Sequence, residues 1–313
     1  MNEEIITSGR MNPNIDPVLH VWHWQIPIYL FLGGLAAGIL FFSALYYIQG
    51  KENKYSTAVK VAPILVPFAL AIGLFMLFLD LKHKLYFWQL YTTIRMESPM
   101  SWGAWTLMAI TPLSILWSFT FLKEAFPKWE IKIPIVQKFE AWLVQFRMPM
   151  AWILIVLAII LGVYTGILLS AFNARPLWNT SLLGPLFLVS GLSTGAATIM
   201  WLSKDKEERK LFSKIDLILI VIELFFIVHL FMGFLAGPEV QIESAHLFLG
   251  GEFTTAFWGF VVLLGLLLPF SLEVMELRGI HVPVAFPALL ILIGGLIFRF
   301  IMVEAGQITR YLY

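Results

Sequence analysis

Cysteine is absent from the 313-residue sequence. The protein can therefore hold no disulfide, no thiolate metal site and no iron–sulfur cluster of its own, so any cluster its chemistry needs sits on another subunit. Charge is scarce too. Only 13% of the residues are Asp, Glu, Lys or Arg and 59% are hydrophobic, against roughly 25% charged in a soluble domain. The 21 basic and 20 acidic residues nearly cancel, which leaves no clustered basic face and argues against nucleic acid as a partner. The first twenty positions also lack the short apolar core of a cleaved signal peptide. Asn12, Pro13, Asn14, Asp16 and Pro17 make that stretch polar, and the apolar run after it is long enough to span a membrane and is expected to stay.

What the sequence has in abundance is long apolar runs. A helix needs about 20 apolar residues to cross the hydrocarbon core. Windows of that kind run over Gln25 to Ile48, Val61 to Leu79, Ser101 to Leu122, Met150 to Ala171, Leu182 to Leu202, Leu217 to Ala236, Phe253 to Leu272 and Pro283 to Val303. This predicts an all-α integral membrane protein with eight transmembrane helices and both termini on one side. The linkers with Lys51, Lys54 and Lys60, with Lys123, Lys128, Lys132, Lys138 and Arg147, with Lys204, Lys206, Arg209, Lys210 and Lys214, and with Arg278 all fall on one face. The other face has Arg10, Lys82, Lys84, Arg95, Arg175 and Arg310. The positive-inside rule makes the first face cytoplasmic. Both termini then point outward from the inner membrane, into the periplasm of a Gram-negative cell.

A weak internal repeat divides the sequence. Gly34-Leu35-Ala36-Ala37-Gly38 recurs as Gly191-Leu192-Ser193-Thr194-Gly195, and Trp102-Gly103 as Trp258-Gly259. Small residues at four-residue spacing let helices approach closely in lipid, so packing is the plainer reading of the glycines. The repeat itself suggests two four-helix bundles in parallel orientation. The expected organisation is an outer segment over 1–24, a first bundle over 25–172, an outer linker over 173–180, a second bundle over 181–303 and an outer tail over 304–313.

Ionisable groups inside a membrane are costly and mark function by default. Counting about 1.5 Å per residue along each helix sorts them by depth. His23 lies at the outer mouth of the first helix, Tyr29 roughly 9 Å deeper, Asp80 at the outer end of the second, and Tyr164 about 10 Å below the outer end of the fourth. These four groups share the outer third of the membrane. Each has a plainer alternative: Tyr29 as an interfacial aromatic, His23 as a polar group between Trp22 and Trp24, Asp80 as a helix-end carboxylate neutralised by Lys82, His83 and Lys84. In the second half, Asp216 and Glu223 stand seven apart on one face of the sixth helix, and His229 follows. They suggest a proton relay, with a single hydrogen-bonded buried acid as the alternative. Arg299 in the eighth helix needs an acceptor, for which Glu304, Glu243 and Glu252 are candidates. Only His229 is clearly intramembrane; His20, His23, His83, His246 and His281 lie at or beyond helix ends, which disfavours a bis-histidine haem.

A secondary transporter also fits an internal repeat with isolated intramembrane charges. Transporter sites, however, sit near the midplane on broken helices, whereas here the polar groups crowd the outer surface and Pro27, Pro112 and Pro185 are read as lying near helix ends. A purely structural anchor is the third reading.

An ordered set of motifs spans the sequence: Trp22-His23-Trp24, the glycine run from Gly33 to Gly38, Asp80, Ser98-Pro99-Met100-Ser101-Trp102-Gly103-Ala104-Trp105, Tyr164 with Gly166, Arg175-Pro176-Leu177-Trp178-Asn179, and Arg299 followed by Ala305-Gly306-Gln307. With these motifs the protein resembles the NrfD/PsrC family of membrane subunits. The resemblance implies two four-helix bundles with a menaquinone site in the first, near the outer face. It further implies a ferredoxin-like iron–sulfur partner docked there and a catalytic subunit, often carrying molybdopterin, on the same side. Tyr164 matches the family's quinone-site tyrosine, Asp80 its acidic position, and His23 the histidine of the tryptophan-flanked motif. Where the family has a second quinone-binding histidine this sequence has Tyr29, whose phenol donates the same hydrogen bond. Trp102, Arg175, Trp178, Asn179 and Arg299 match as supporting positions.

Overall fold

The computed structural model describes residues 21–128 and 133–309, and every regular element in them is helical. Arg10, His20, Lys132 and Arg310, with most of the outer N-terminal segment and the end of the outer tail, lie outside the described residues. Eight helices are long and apolar enough to cross a membrane. They are α1 (Gln25–Ile48), α2 (Thr57–Asp80), α3 (Pro99–Ala125), α4 (Arg147–Ser170), α5 (Leu183–Leu202), α6 (Lys206–Leu235), α7 (Thr255–Leu277) and α8 (Ala285–Ile308). An even number of crossings returns the polypeptide to its starting side, here called the terminal face; the α1–α2, α3–α4, α5–α6 and α7–α8 connections form the loop face.

The helices match the apolar windows to within a few residues except at α6, which begins eleven positions before the expected Leu217. Its extra turns are polar, and Asp205 caps them by accepting hydrogen bonds from the Glu207 and Glu208 amides. Glu208, 1% exposed, then serves a different helix. Its carboxylate accepts from the Ala58 amide at 2.8 Å, the Thr57 amide at 3.3 Å and the Ser203 hydroxyl at 2.7 Å. A negative group at the first turn of α2 satisfies amides that have no intrahelical partner and matches the helix dipole. Pro112 proves to be at the middle of α3 rather than near an end. The helix continues through it because a proline inside a helix removes one backbone hydrogen bond without forcing a stop.

The packing centres on α1 and α5. They are the most buried of the eight, with 67% and 78% of their apolar windows covered against 28% for α2. The glycines of the repeat meet each other. A Cβ added at Gly38 would lie 2.2 Å from the Gly191 carbonyl oxygen, one at Gly191 2.8 Å from the Gly34 carbonyl oxygen, and one at Gly195 2.6 Å from the Gly38 carbonyl carbon. Packing is thus the role of these glycines. With the seam fixed, α1 also packs against α2, α4 and α8, and α5 against α4, α6 and α8. A second glycine contact, Gly265 on Gly294, joins α7 to α8.

Gly38→Ala should therefore destabilise the folded protein by about 1–3 kcal/mol, the usual cost of overpacking. Gly259→Ala, with no atom within 4 Å of the new carbon, should stay within about 1 kcal/mol of the parent. Thermal unfolding in detergent compares the two.

Candidate functional site

Three of the four residues expected to share the outer third of the membrane, Tyr29, Asp80 and Tyr164, line one cavity of about 110 Å³. Tyr29, 2% exposed, enters from early in α1, Tyr164, 7% exposed, from α4, and Asp80 is the last residue of α2. Trp22, Tyr91, Met100 and Leu107 are among the other lining residues, and apolar side chains predominate. The Tyr29 and Tyr164 hydroxyls interact, yet the buried Tyr29 Oη makes no well-aligned hydrogen bond among the described residues. It is a donor and acceptor left available to an occupant of the cavity. Outside the spans, burial raises the Tyr91 phenol above its ordinary pKa, so this residue lines the cavity as a neutral group.

Tyr164 has this position because α3 offers no side chain opposite it. A Cβ at Gly103 would fall 1.8 Å from the Tyr164 ring carbon that bears the hydroxyl, and 2.2 Å from the hydroxyl oxygen. The Trp-Gly pair in the second half does not repeat this arrangement, because Gly259 faces open space. Trp102 points to the terminal face, 48% exposed, and donates from Nε1 to the Met96 carbonyl at 2.9 Å, which holds the α2–α3 connection.

His23 stands behind the cavity rather than in it. Its Nδ1 lies 2.9 Å from Asp80 Oδ1, with the histidine side chain 62% exposed and the aspartate 9%. The histidine, and not Lys82, His83 or Lys84, is thus the ion-pair neighbour of Asp80 among the described residues.

A clamp on the terminal face fixes the start of α1. Gln307, at the end of α8, accepts through Oε1 from the Val21 and Trp22 amides at 3.1 and 2.9 Å and donates from Nε2 to the Trp22 carbonyl at 2.9 Å. Arg175 donates to the Gln307 and Thr309 carbonyls at 3.1 and 2.8 Å. Trp178 donates to the Met302 carbonyl at 2.7 Å, and its indole occupies the space a Cβ on Gly306 would take. The Trp22 ring packs on those of Trp178 and Phe172. Asn179 belongs to the same turn, through its amide bonded to the Arg175 carbonyl.

The second half has a separate network of polar groups. Ser193 Oγ donates to Asp216 Oδ1 at 2.6 Å, and Asp216 in turn interacts with Glu273, whose side chain is fully buried. Glu223 is in range of Ser190 and of the Arg299 charge. Arg299 itself donates to Ser190 Oγ at 2.6 Å, the Gly295 carbonyl at 3.2 Å and the Phe187 carbonyl at 3.3 Å. Its acceptors are therefore on α5 and α8, not Glu304, Glu243 or Glu252, because the guanidinium turns inward between the Phe187 and Phe298 rings. His229 is not brought into this network: it lies exposed on α6, bonded to the Phe225 carbonyl of its own helix. Glu273 escapes a reading of the sequence because it follows the last residue of the apolar window, where a carboxylate looks like an ordinary helix end. Among the described residues no group of three or more His, Cys, Asp or Glu could hold a metal ion.

The family model described as "Polysulphide reductase, NrfD" matches residues 11–310. The chain belongs to the NrfD polysulphide reductase family. Among relatives, protein NrfD of Escherichia coli is 32% identical over 305 residues, covering 92% of this chain and 96% of that protein. The C subunit of polysulfide reductase from Wolinella succinogenes is 31% identical over 301 residues, covering 92% and 94%. The NrfD homolog of Haemophilus influenzae is 30% identical over 305 residues, covering 92% and 95%. In this NrfD-family protein the match therefore includes the cavity, the clamp and the polar network of the second half.

The clamp gives a direct test. Gln307→Leu removes three hydrogen bonds, each worth about 1 kcal/mol. Hydrogen exchange at the Val21 and Trp22 amides should speed up at least roughly tenfold, read by peptide-level mass spectrometry.

Proposed function

We propose that this protein is the quinone-binding membrane anchor of a respiratory oxidoreductase complex, exchanging electrons between menaquinone or menaquinol and an iron–sulfur partner, with coupled proton transfer. The observation that carries the reading is the convergence of Tyr29, Asp80 and Tyr164 on one largely apolar cavity. Such a cavity with a few placed polar groups suits a flat apolar ring with polar oxygens, and the available Tyr29 Oη supplies one bond to it. Bound menaquinone would supply redox chemistry in which electron and proton movements are linked.

The residues divide the remaining work. Tyr164 and Tyr29 hold and orient the ring by hydrogen bonds from their hydroxyls. Asp80 exchanges protons at the cavity's outer end, and His23 positions its carboxylate and relays protons to the exposed side. The clamp of Arg175, Trp178, Asn179 and Gln307 supports Trp22 and His23. The second half contributes an inner proton path: Asp216 and Glu223 as its groups, Glu273 and Ser190 as their neighbours, and Arg299 as the fixed charge. His229 lies off this path.

The same reading places the termini and the cavity on the outer side of the inner membrane, since the loop face has Lys51, Lys54, Lys60, Lys123, Lys128, Arg147 and the basic start of α6. The protein then comprises two bundles, 25–172 and 181–303, joined by the 173–180 linker. A ferredoxin-like iron–sulfur subunit docks over the cavity, and a catalytic subunit, of the molybdopterin kind, stands beyond it. The family match also sets aside the secondary transporter.

Purification of the complex in mild detergent, with extraction of bound quinone and mass spectrometry of the co-purifying subunits, tests the proposal. Near-stoichiometric menaquinone with a cluster-bearing partner is expected; recovery of neither overturns it. Asp80→Asn keeps an oxygen for His23 but loses the exchangeable proton, so quinol-coupled turnover should be abolished in an intact complex. Normal turnover in that variant would remove Asp80 from the mechanism. Gly103→Ala should lower quinol turnover at least roughly tenfold by displacing the Tyr164 ring, with subunit assembly unchanged.

A further inference from the structure

The cavity has two neighbours, one bordered by basic side chains and one almost wholly apolar. Toward the terminal face it shares Leu81, Leu90 and Met100 with a cleft whose wall includes Lys82, His83 and Arg95. Sideways, it shares Tyr91 and Leu107 with an apolar groove between α2 and α3. Leu74 of α2, Trp88 of the α2–α3 connection, and Met108, Thr111 and Pro112 of α3 line that groove. Met108 is 55% exposed, on the flank of a helix long and apolar enough to cross a membrane.

From this arrangement we infer that the α2–α3 groove holds the isoprenoid tail of the quinone and is its lateral passage between bilayer and cavity, with Tyr91 and Leu107 as the wall between them. The inference rests on the quinone reading above and adds the route. A cavity of about 110 Å³ has no room for a long tail. The cleft toward the terminal face suits it less than the groove, because hydrocarbon seated there strips water from Lys82 and Arg95 without replacing it. The groove keeps the tail in apolar surroundings along its whole length.

Local structure on the groove favours passage. Pro112 has no amide hydrogen, so the Met108 carbonyl loses its helical partner and α3 is softened where the groove runs. The Thr111 carbonyl is taken by the Ser114 hydroxyl at 2.7 Å. The Thr111 hydroxyl is buried with no hydrogen-bond partner among the described residues, and so offers one bond to a polar ring moving along an otherwise apolar path. The wall is light. Tyr91 sits on a single helical turn, Gln89–Thr92, whose backbone is tied to α3 by Trp105 Nε1 donating to the Tyr91 carbonyl at 3.3 Å.

Two photoreactive menaquinone analogues, one with the label on the ring and one with it on the tail, test the route in the intact complex. The ring label should mark peptides that line the cavity, around Tyr29 or Tyr164, and the tail label should mark Trp88, Met108 or Thr111. Ring labelling in the cavity with tail labelling elsewhere overturns the groove and leaves the quinone site standing. Ring labelling outside the cavity overturns the quinone reading and the groove with it. Independently, Met108→Trp and Thr111→Trp fill the groove. The KM for a long-tailed menaquinol should rise roughly tenfold and that for a tailless naphthoquinol should be unchanged. An equal effect on both substrates, or none on either, overturns the assignment.

Discussion

Helices α1 and α5 cross with their backbones in contact, and both polar regions of the molecule take their positions from that crossing. Lipid tails are as apolar as leucine, so no hydrophobic force draws two such helices together; close approach over glycine does. Gly34 and Gly38 on one side and Gly191 and Gly195 on the other leave no room for a side chain. Once α1 is held there, its first turns present Tyr29 beside Tyr164 and Asp80, while Gly34 lies beneath the Arg299 guanidinium, 3.6 Å from where a Cβ would sit. One rigid helix thus connects an open, aromatic region to a closed, ionic one.

The two regions solve the cost of polar groups in a membrane differently. In the first half the hydroxyls and the carboxylate face a cavity and stay available to a guest. In the second half they face one another across packed helices and are satisfied only in part. Ser193 serves Asp216, Ser190 serves Arg299, and Glu273 stands against Asp216 with both of its own oxygens lacking a donor in the described structure. A buried charge that lost its neighbour here would be left without compensation. These groups are therefore coupled to one another.

Much of this is legible in the sequence, for particular reasons. The crossings follow from hydrophobic length, and a common depth for His23, Tyr29, Asp80 and Tyr164 is the reading that rise per residue and the direction of each crossing give, though not that Tyr29, Asp80 and Tyr164 line one cavity while His23 stands outside it. The seam of repeat glycines is legible as packing, though not as the two copies meeting each other. What stays hidden depends on contacts between segments far apart in sequence. Gly103 reads as one half of a Trp-Gly pair until Tyr164 is seen filling the space above it, and its counterpart Gly259 has no such neighbour. Glu273 lies just beyond an apolar window. The early start of α6 does leave a signal, an aspartate followed by two glutamates at Asp205, Glu207 and Glu208, but polar turns ahead of a spanning segment look like loop when hydropathy alone is counted. Arg299 invites the expectation of a carboxylate near the helix end, whereas it turns inward to a hydroxyl and two carbonyls.

The Gln307 clamp has a consequence for how the protein is made. Val21 and Trp22 are made before any of the eight crossings and wait without Gln307 until α8 has been made. Until then the turn bearing His23 lacks those hydrogen bonds and keeps its pairing with Asp80 and the packing of Trp22 on Phe172 and Trp178. The last crossing thus completes the first, and a polypeptide that stops before α8 lacks the Gln307 clamp. The clamp beside the site is complete only once the eighth crossing is in place.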